Sequence, residues 1–152
     1  MKLNHTNAGL RICINEVDRG RLGGQVYSQR LKEPMAFGDI AGLLLQVEDL
    51  LDQQDFPRAF QRKRIFHPKK QPKQEASGDR HNPGELPEEE GQPYMTAEQV
   101  QAAAGKMATF VLYIVTRQNT TWQGKVDWLD GTEDQFSSAL ELIYMVDQTV
   151  PY

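Results

Sequence analysis

Two different hydrophobic periods alternate along this chain. Leu10, Ile12 and Ile14 alternate with Arg11 and Asn15 in "LRICINEV", a period of two that predicts a strand over 10–17. The stretch "DRGR" turns the chain, and "LGGQVYSQRL" over 22–31 reads as the returning strand. From Phe37 the period changes. Phe37, Ile40, Ala41, Leu44, Val47 and Leu51 recur at spacings of three and four, which predicts an amphipathic helix over 37–54.

The same order returns a hundred residues later. "ATFVLYIVT" over 108–116 reads as a strand, "RQNT" as a turn and "TWQGKVDWL" over 121–129 as the partner strand. After "DGTED", the segment "QFSSALELIYMVDQTV" carries Phe136, Leu140, Ile143 and Val146 at helical spacing. At an offset of 100, Ile14 falls on Ile114, Gly24 on Gly124 and Val26 on Val126. At an offset of 99, Phe37 falls on Phe136, Leu43 on Leu142 and Val47 on Val146. Two ββα units therefore follow one another. A lone hairpin is marginal and three or more strands with a covered face are needed for stability, so the units must share a core. The expected fold is α+β: a four-stranded antiparallel sheet with two helices on one face, or a dimer exchanging the same halves.

Strand alternation puts Trp122, Gly124, Val126 and Trp128 on one face of the second hairpin. Leu22, Gly24 and Val26 occupy that face in the first. Both tryptophans then read as core anchors, together with Phe37 and Phe136, rather than as a stacking platform for a ligand. The opposite face carries Val111, Tyr113 and Val115, unusually apolar for a surface, and marks a candidate face for a protein partner or for self-association.

Composition changes the picture between the units. Apolar residues make up 39% of the 152, under the usual fraction of about 45–50%. The deficit is concentrated in 67–95, which holds five of the eight prolines. Such a segment cannot bury enough surface to offset its ordering entropy, so it reads as a flexible linker. The division is then one domain over 1–152. It comprises a first unit with a basic arm over 8–66, the linker over 67–95, and a short helix plus the second unit over 96–152. That short helix opens at Thr96 with Gln99 three residues on, a capping-box pattern, and closes on Gly105.

A net charge of −4 and an isoelectric point near 5.4 give no global basic field. Locally, "RAFQRKRIFHPKKQPK" over 58–73 has seven of the 17 lysines and arginines, no acid, and Phe60 and Phe66 interleaved. Arg58, Arg62, Lys63, Arg64, Lys69 and Lys70 are thus candidate contacts for a polyanion or an acidic partner. The plainer reading is a solvated flank balanced by Glu85, Glu88, Glu89 and Glu90.

The single cysteine, Cys13, rules out an internal disulfide and sits in a predicted strand as a small inert side chain. His5, His67 and His81 show no ligand spacing, and the acids Asp127, Asp130, Glu133 and Asp134 form no calcium loop, with Asp134 a candidate cap for the last helix. No nucleophile elbow, phosphate loop or dinucleotide fingerprint occurs. The expectation is a non-enzymatic protein with no catalytic residue, metal or cofactor. No apolar h-region opens the chain and no run approaches a membrane span, so the expected setting is cytoplasmic with no membrane partner.

The second unit, "RQNTTWQGKVDWLDG" followed by "QFSSALELIYMVD", resembles small uncharacterised proteins of clostridia-like bacteria. In these a WQG-x-V-x-W hairpin precedes an F-x-S-x-LELI helix. "LLLQVEDLLDQQDFPRAFQRKRIF" is similar to their front half. The resemblance implies a compact bacterial cytoplasmic protein and carries over no catalytic residue. Function then rests on two surfaces: the sheet face opposite the helices, as a binding or adaptor surface, or the basic 58–73 segment, as a contact for RNA or single-stranded DNA.

Overall fold

The alternation at 10–14 and 108–114 builds the two central strands of one sheet. The structure, a computed structural model, describes residues 2–19, 21–60, 86 and 93–149. Its elements are β1 (Leu10–Asp18), β2 (Arg21–Tyr27), β3 (Met35–Phe37), α1 (Ile40–Gln54), β4 (Ala59–Phe60), α2 (Ala97–Ala102), β5 (Ala108–Gln118), β6 (Gln123–Asp127), β7 (Glu133–Phe136) and α3 (Ala139–Thr149). The fold is α+β. The strands pair antiparallel in the order β3-β2-β1-β5-β6-β7, with the two-residue β4 pairing parallel to β5 off that path.

The sheet is thus wider than expected, with six strands rather than four along its path, and three strands rather than two precede each of α1 and α3. Phe37 and Phe136, expected at helix starts, end β3 and β7. The reason lies in the caps. The Asp39 carboxylate accepts from the Gly42 amide at 2.6 Å in α1, and Ser138 Oγ accepts from the Glu141 amide at 3.1 Å in α3. A helix cannot start before its cap, so the residues ahead of it extend and pair. Asp134 therefore caps nothing. It lies in β7 and accepts the Trp128 indole N–H at 2.8 Å.

Alternate positions of the strands meet the helices in one core. Leu10, Ile12 and Ile14 of β1, Phe110, Leu112 and Ile114 of β5, and Val26 and Val126 pack with Leu43, Val47 and Leu51 of α1 and Leu142 and Val146 of α3. Trp122 is buried in this core, and Trp128 packs on it with its ring 5.3 Å from that of Phe110.

Both long hairpins carry a bulge at the same place. The register slips between Ile14 and Glu16 in β1 and between Ile114 and Thr116 in β5. Opposite the slips stand Gly24, paired with Ile14, and Gly124, paired with Ile114. A Cβ on Gly24 would run into the Cys13 carbonyl oxygen, and one on Gly124 into that of Tyr113. Glycine is required at both by backbone contact alone.

The expected linker is only partly visible. Residues 67–85 and 87–92 lie outside the described residues. Leu86, however, is buried with Leu3 and Ala8, against Phe56 and Tyr94, and the Met95 amide donates to the Leu31 carbonyl at 2.9 Å. These points of the segment are held on the body of the domain rather than free of it. The capping box at α2 forms as the sequence pattern implies, but the helix stops at Ala102, ahead of Gly105.

Gly24→Ala and Gly124→Ala should each lower stability by about 1–3 kcal/mol, because the neighbour that must yield is strand backbone. Urea denaturation of the two variants measures this, and a loss under a few tenths at either site contradicts the close approach.

Candidate functional site

The bulge decides which side chains of β5 face which way. Up to Ile114 the even positions face the helices and Val111 and Tyr113 face away. One residue is then inserted, and Arg117 turns to the helix side, where it is 3% exposed. Its guanidinium donates to Asp52 Oδ1 at 2.7 Å, Glu48 Oε2 at 3.2 Å and the Pro57 carbonyl at 2.8 Å. Glu48 also accepts the Trp122 indole N–H at 2.7 Å. The expected turn "RQNT" thus hides a buried cation that clamps β5 to α1.

A second arginine lies at the same end of α1. Arg30, 2% exposed, donates to Gln54 Oε1 at 2.6 Å and to the carbonyls of Phe56 and Ala8, with the Phe56 ring 5.9 Å away. Burial, and then the nearby Arg117 charge, push its pKa down to about 10, so it stays charged at neutral pH. Among the described residues it has no carboxylate partner.

The face of the sheet away from the helices is less open than its sequence implies. Val111 and Tyr113 are half-buried and Val115, the residue inserted at the bulge, is 38% exposed. The chain around α2 stands over them. Arg11 Nε donates to the Ala103 carbonyl at 2.7 Å, the Gly105 amide to Thr109 Oγ1 at 2.8 Å and the Met107 amide to the Ile14 carbonyl at 2.8 Å. What remains is a cleft of about 410 Å³ with Arg11, Val111, Tyr113 and Asp127 on its floor and Val100 and Gln101 of α2 in its wall. None of the residues of α2 is buried.

The acids near the last helix are each engaged. Asp127 accepts the Leu129 amide at 2.9 Å, Glu133 stands 3.6 Å from Lys125, and Asp130 accepts from Thr132. The Thr132 hydroxyl and then its amide hold the Asp130 carboxyl below the ordinary range. Among the described residues no group of three His, Cys, Asp or Glu is placed to hold a metal ion, and no helix is long and apolar enough to cross a membrane. Arg58 is exposed and pairs with Asp55 at 3.3 Å. Arg62, Lys63, Arg64, Lys69 and Lys70 lie outside the described residues.

The largest exposed apolar side chains sit elsewhere, on the outer side of the helices: Leu45 at 70%, Leu140 at 74% and Tyr144 at 65%. Periodicity leaves Leu45 and Tyr144 off the stripes, but it counted Leu140 with Ile143 and Val146, whereas the buried residues of α3 are Leu142 and Val146 and Leu140 faces outward. Neither helix contains a lysine, arginine or histidine, while Glu48, Asp49, Asp52, Glu141 and Asp147 lie along them.

Comparison with known proteins finds no matching family model, no matching curated protein and no matching solved structure.

Two outcomes follow from the buried groups. Arg117→Met should cost about 1–3 kcal/mol in urea denaturation by stranding buried acceptors, whereas Asp52→Asn, on a side chain more than half exposed, should cost under about 1 kcal/mol; equal losses contradict the assignment. Cys13 is buried, and burial raises its thiol pKa against the opposing pull of Arg11. The folded state then keeps the proton as pH rises through the ordinary thiol value of about 8.5, so this group's contribution to stability is full below that pH and falls above it. Labelling by a disulfide reagent at pH 8 should be slow in the native protein and fast in urea. Immediate labelling without denaturant contradicts the burial.

Proposed function

We propose that this chain is a non-enzymatic binding or adaptor protein of a bacterial cytoplasm, and that its protein-contact surface is the outer side of α1 and α3. The observation that carries the reading is the exposure of Leu45, Leu140 and Tyr144 on two helices that bear acids and no base. Leu140 and Tyr144 are four residues apart and so lie together on one face. On α1, Leu45 stands four residues before the exposed Asp49. Apolar side chains rimmed by one sign of charge fit a partner of the opposite sign. The partner is a protein that lays a basic amphipathic segment across these helices, its apolar side chains on Leu140 and Tyr144 and its cations toward Asp49 and Glu141.

The halves also support an internal repeat, now of three strands and a helix. Bulge, glycine and phenylalanine recur in equivalent registers: Ile14 on Gly24 on Phe37, and Ile114 on Gly124 on Phe136. The central pairs Leu10–Leu112 and Ile12–Phe110 are what a twofold through the Arg11–Val111 pair would give at an offset of 100. Equal losses in Gly24→Ala and Gly124→Ala are its expected consequence.

A synthetic helical peptide of leucine and lysine in amphipathic order is the probe, titrated by fluorescence anisotropy against the full chain. Saturable binding should weaken at least about tenfold in Leu45→Lys/Tyr144→Lys, a loss of roughly 1.4 kcal/mol or more, and should also weaken with salt. Unchanged binding in the variant, equal binding of a glutamate counterpart, or a concentration-dependent dimer that the variant abolishes each overturns the reading, the last by making a second copy the occupant.

The second reading is a nucleic-acid binder, favoured by the seven cations without an acid over 58–73. It requires retention on a polyanion column at low salt and release with rising salt.

A further inference from the structure

We propose that the cleft beneath α2 is a site for a small zwitterion with an apolar body, an apolar amino acid or dipeptide. The geometry comes from register. Arg11 of β1 pairs with Val111 of β5, and Val111 pairs with Asp127 of β6. Directly paired residues point to the same face, so a cation, an apolar side chain and an anion stand in one row across three adjacent strands. Two strand spacings put the Arg11 and Asp127 backbones about 10 Å apart, and no ion pair joins the two side chains.

Each charge is half committed. Arg11 spends Nε on the Ala103 carbonyl at 2.7 Å, and its two terminal nitrogens have no partner among the described residues. A guanidinium edge of that kind receives a carboxylate through two parallel hydrogen bonds. Asp127 uses Oδ1 for the Leu129 amide at 2.9 Å, and Oδ2 has no partner among the described residues. It can accept an ammonium. Lys125, two residues along the same strand face, is engaged by Glu133 at 3.6 Å and by the Tyr113 ring at 5.3 Å.

Between the charges lies Val111, with Tyr113 in the adjoining row and Val100 of α2 and the 45% exposed Leu129 at the rim. An amino acid or dipeptide carries its charges at opposite ends, about 3.5 Å of chain per residue. With a hydrogen bond of about 2.8 Å at each end, one or two residues reach across about the two strand spacings that separate the Arg11 and Asp127 backbones. The cleft, at about 410 Å³, lies at the small end of the range of about 300–1,000 Å³ typical of small-ligand sites. It has room for such a ligand and none for a folded partner. This site lies on the opposite side of the sheet from the helix surface proposed above, and neither depends on the other.

The test is an amide-resolved NMR titration of the full chain with four probes: leucyl-leucine, its C-terminal amide, its N-acetyl form and the doubly blocked peptide. Leucyl-leucine should shift amides at 9–13, 100–105, 111–113 and 127–129 saturably. Each single block should weaken binding at least about tenfold. Arg11→Gln should erase the difference between acid and amide, and Asp127→Asn the difference between free and acetylated ends. Because Arg11 also holds the end of α2, the Asp127→Asn result stands as the independent arm. No saturable shift with leucyl-leucine overturns the site. Equal binding of the free and doubly blocked peptides overturns its charge recognition. Shifts confined to α1 and α3 relocate binding to the helix surface and overturn this proposal while leaving the other reading in place.

Discussion

Everything on the helix side of this sheet is organised around two buried arginines that meet the C-terminal end of α1. A helix end concentrates partial negative charge on carbonyls with no partner inside the helix. α1 has no basic residue of its own in its last turn. Arg30, from the loop between β2 and β3, and Arg117, from the end of β5, supply the cations instead. Arg117 binds carboxylates on α1 and the Pro57 carbonyl, and Arg30 binds the carbonyls of Phe56 and Ala8 and the amide of Gln54. One helix end thus ties together the N-terminal segment, both central hairpins and the start of β4. Two like charges are tolerated side by side because each is surrounded by oriented oxygens, and this is why removing an arginine and removing one half-exposed acid are unequal insults.

That arrangement depends on the bulge in β5. Without the inserted residue, strict alternation would place Arg117 with Val111 and Tyr113 on the far side of the sheet. The far side would then gain a cation beside Arg11 and Lys125, Asp52 would lose its arginine, and Glu48 would keep only the Trp122 indole N–H. The glycine opposite each bulge permits the strands to close where the register slips. A backbone irregularity, fixed by a residue with no side chain, therefore sorts charge between the two faces.

This also explains what the sequence revealed and what it hid. The long strands and the two long helices were legible because each is a sustained period, although Ala41 and Leu140, counted on the apolar stripes, are exposed. β3 and β7 were not. "MAF" and "EDQF" are too short to show a period, and Phe37 and Phe136 continue the helical spacing of the residues after them, although Asp39 and Ser138 mark the true starts. Arg117 was hidden because alternation was read straight through a bulge that only pairing reveals. Val111 and Tyr113 were legible as an apolar face. Their partial cover was not, because the chain after α2 attaches through its own backbone groups at Ala103, Gly105 and Met107, which leave no pattern. The row Arg11–Val111–Asp127 joins residues over a hundred positions apart and exists only in the register.

Positions about a hundred residues apart agree on the helix side of the sheet and differ on the other. Where the halves agree, at Ile14 and Ile114, Gly24 and Gly124, Val26 and Val126, Phe37 and Phe136, the residues are core or close backbone contact. Where they differ, on the side away from the helices, Arg11 stands for Val111, the buried Cys13 for Tyr113 and Tyr27 for Asp127. Packing on the helix side does not require those differences, since these side chains take no part in the shared core. They place a cation, an apolar side chain and an anion in one row across three strands. The exposed apolar side chains of α1 and α3 and the row Arg11–Val111–Asp127 lie on opposite sides of the sheet, so a substitution on one side leaves the side chains of the other in place.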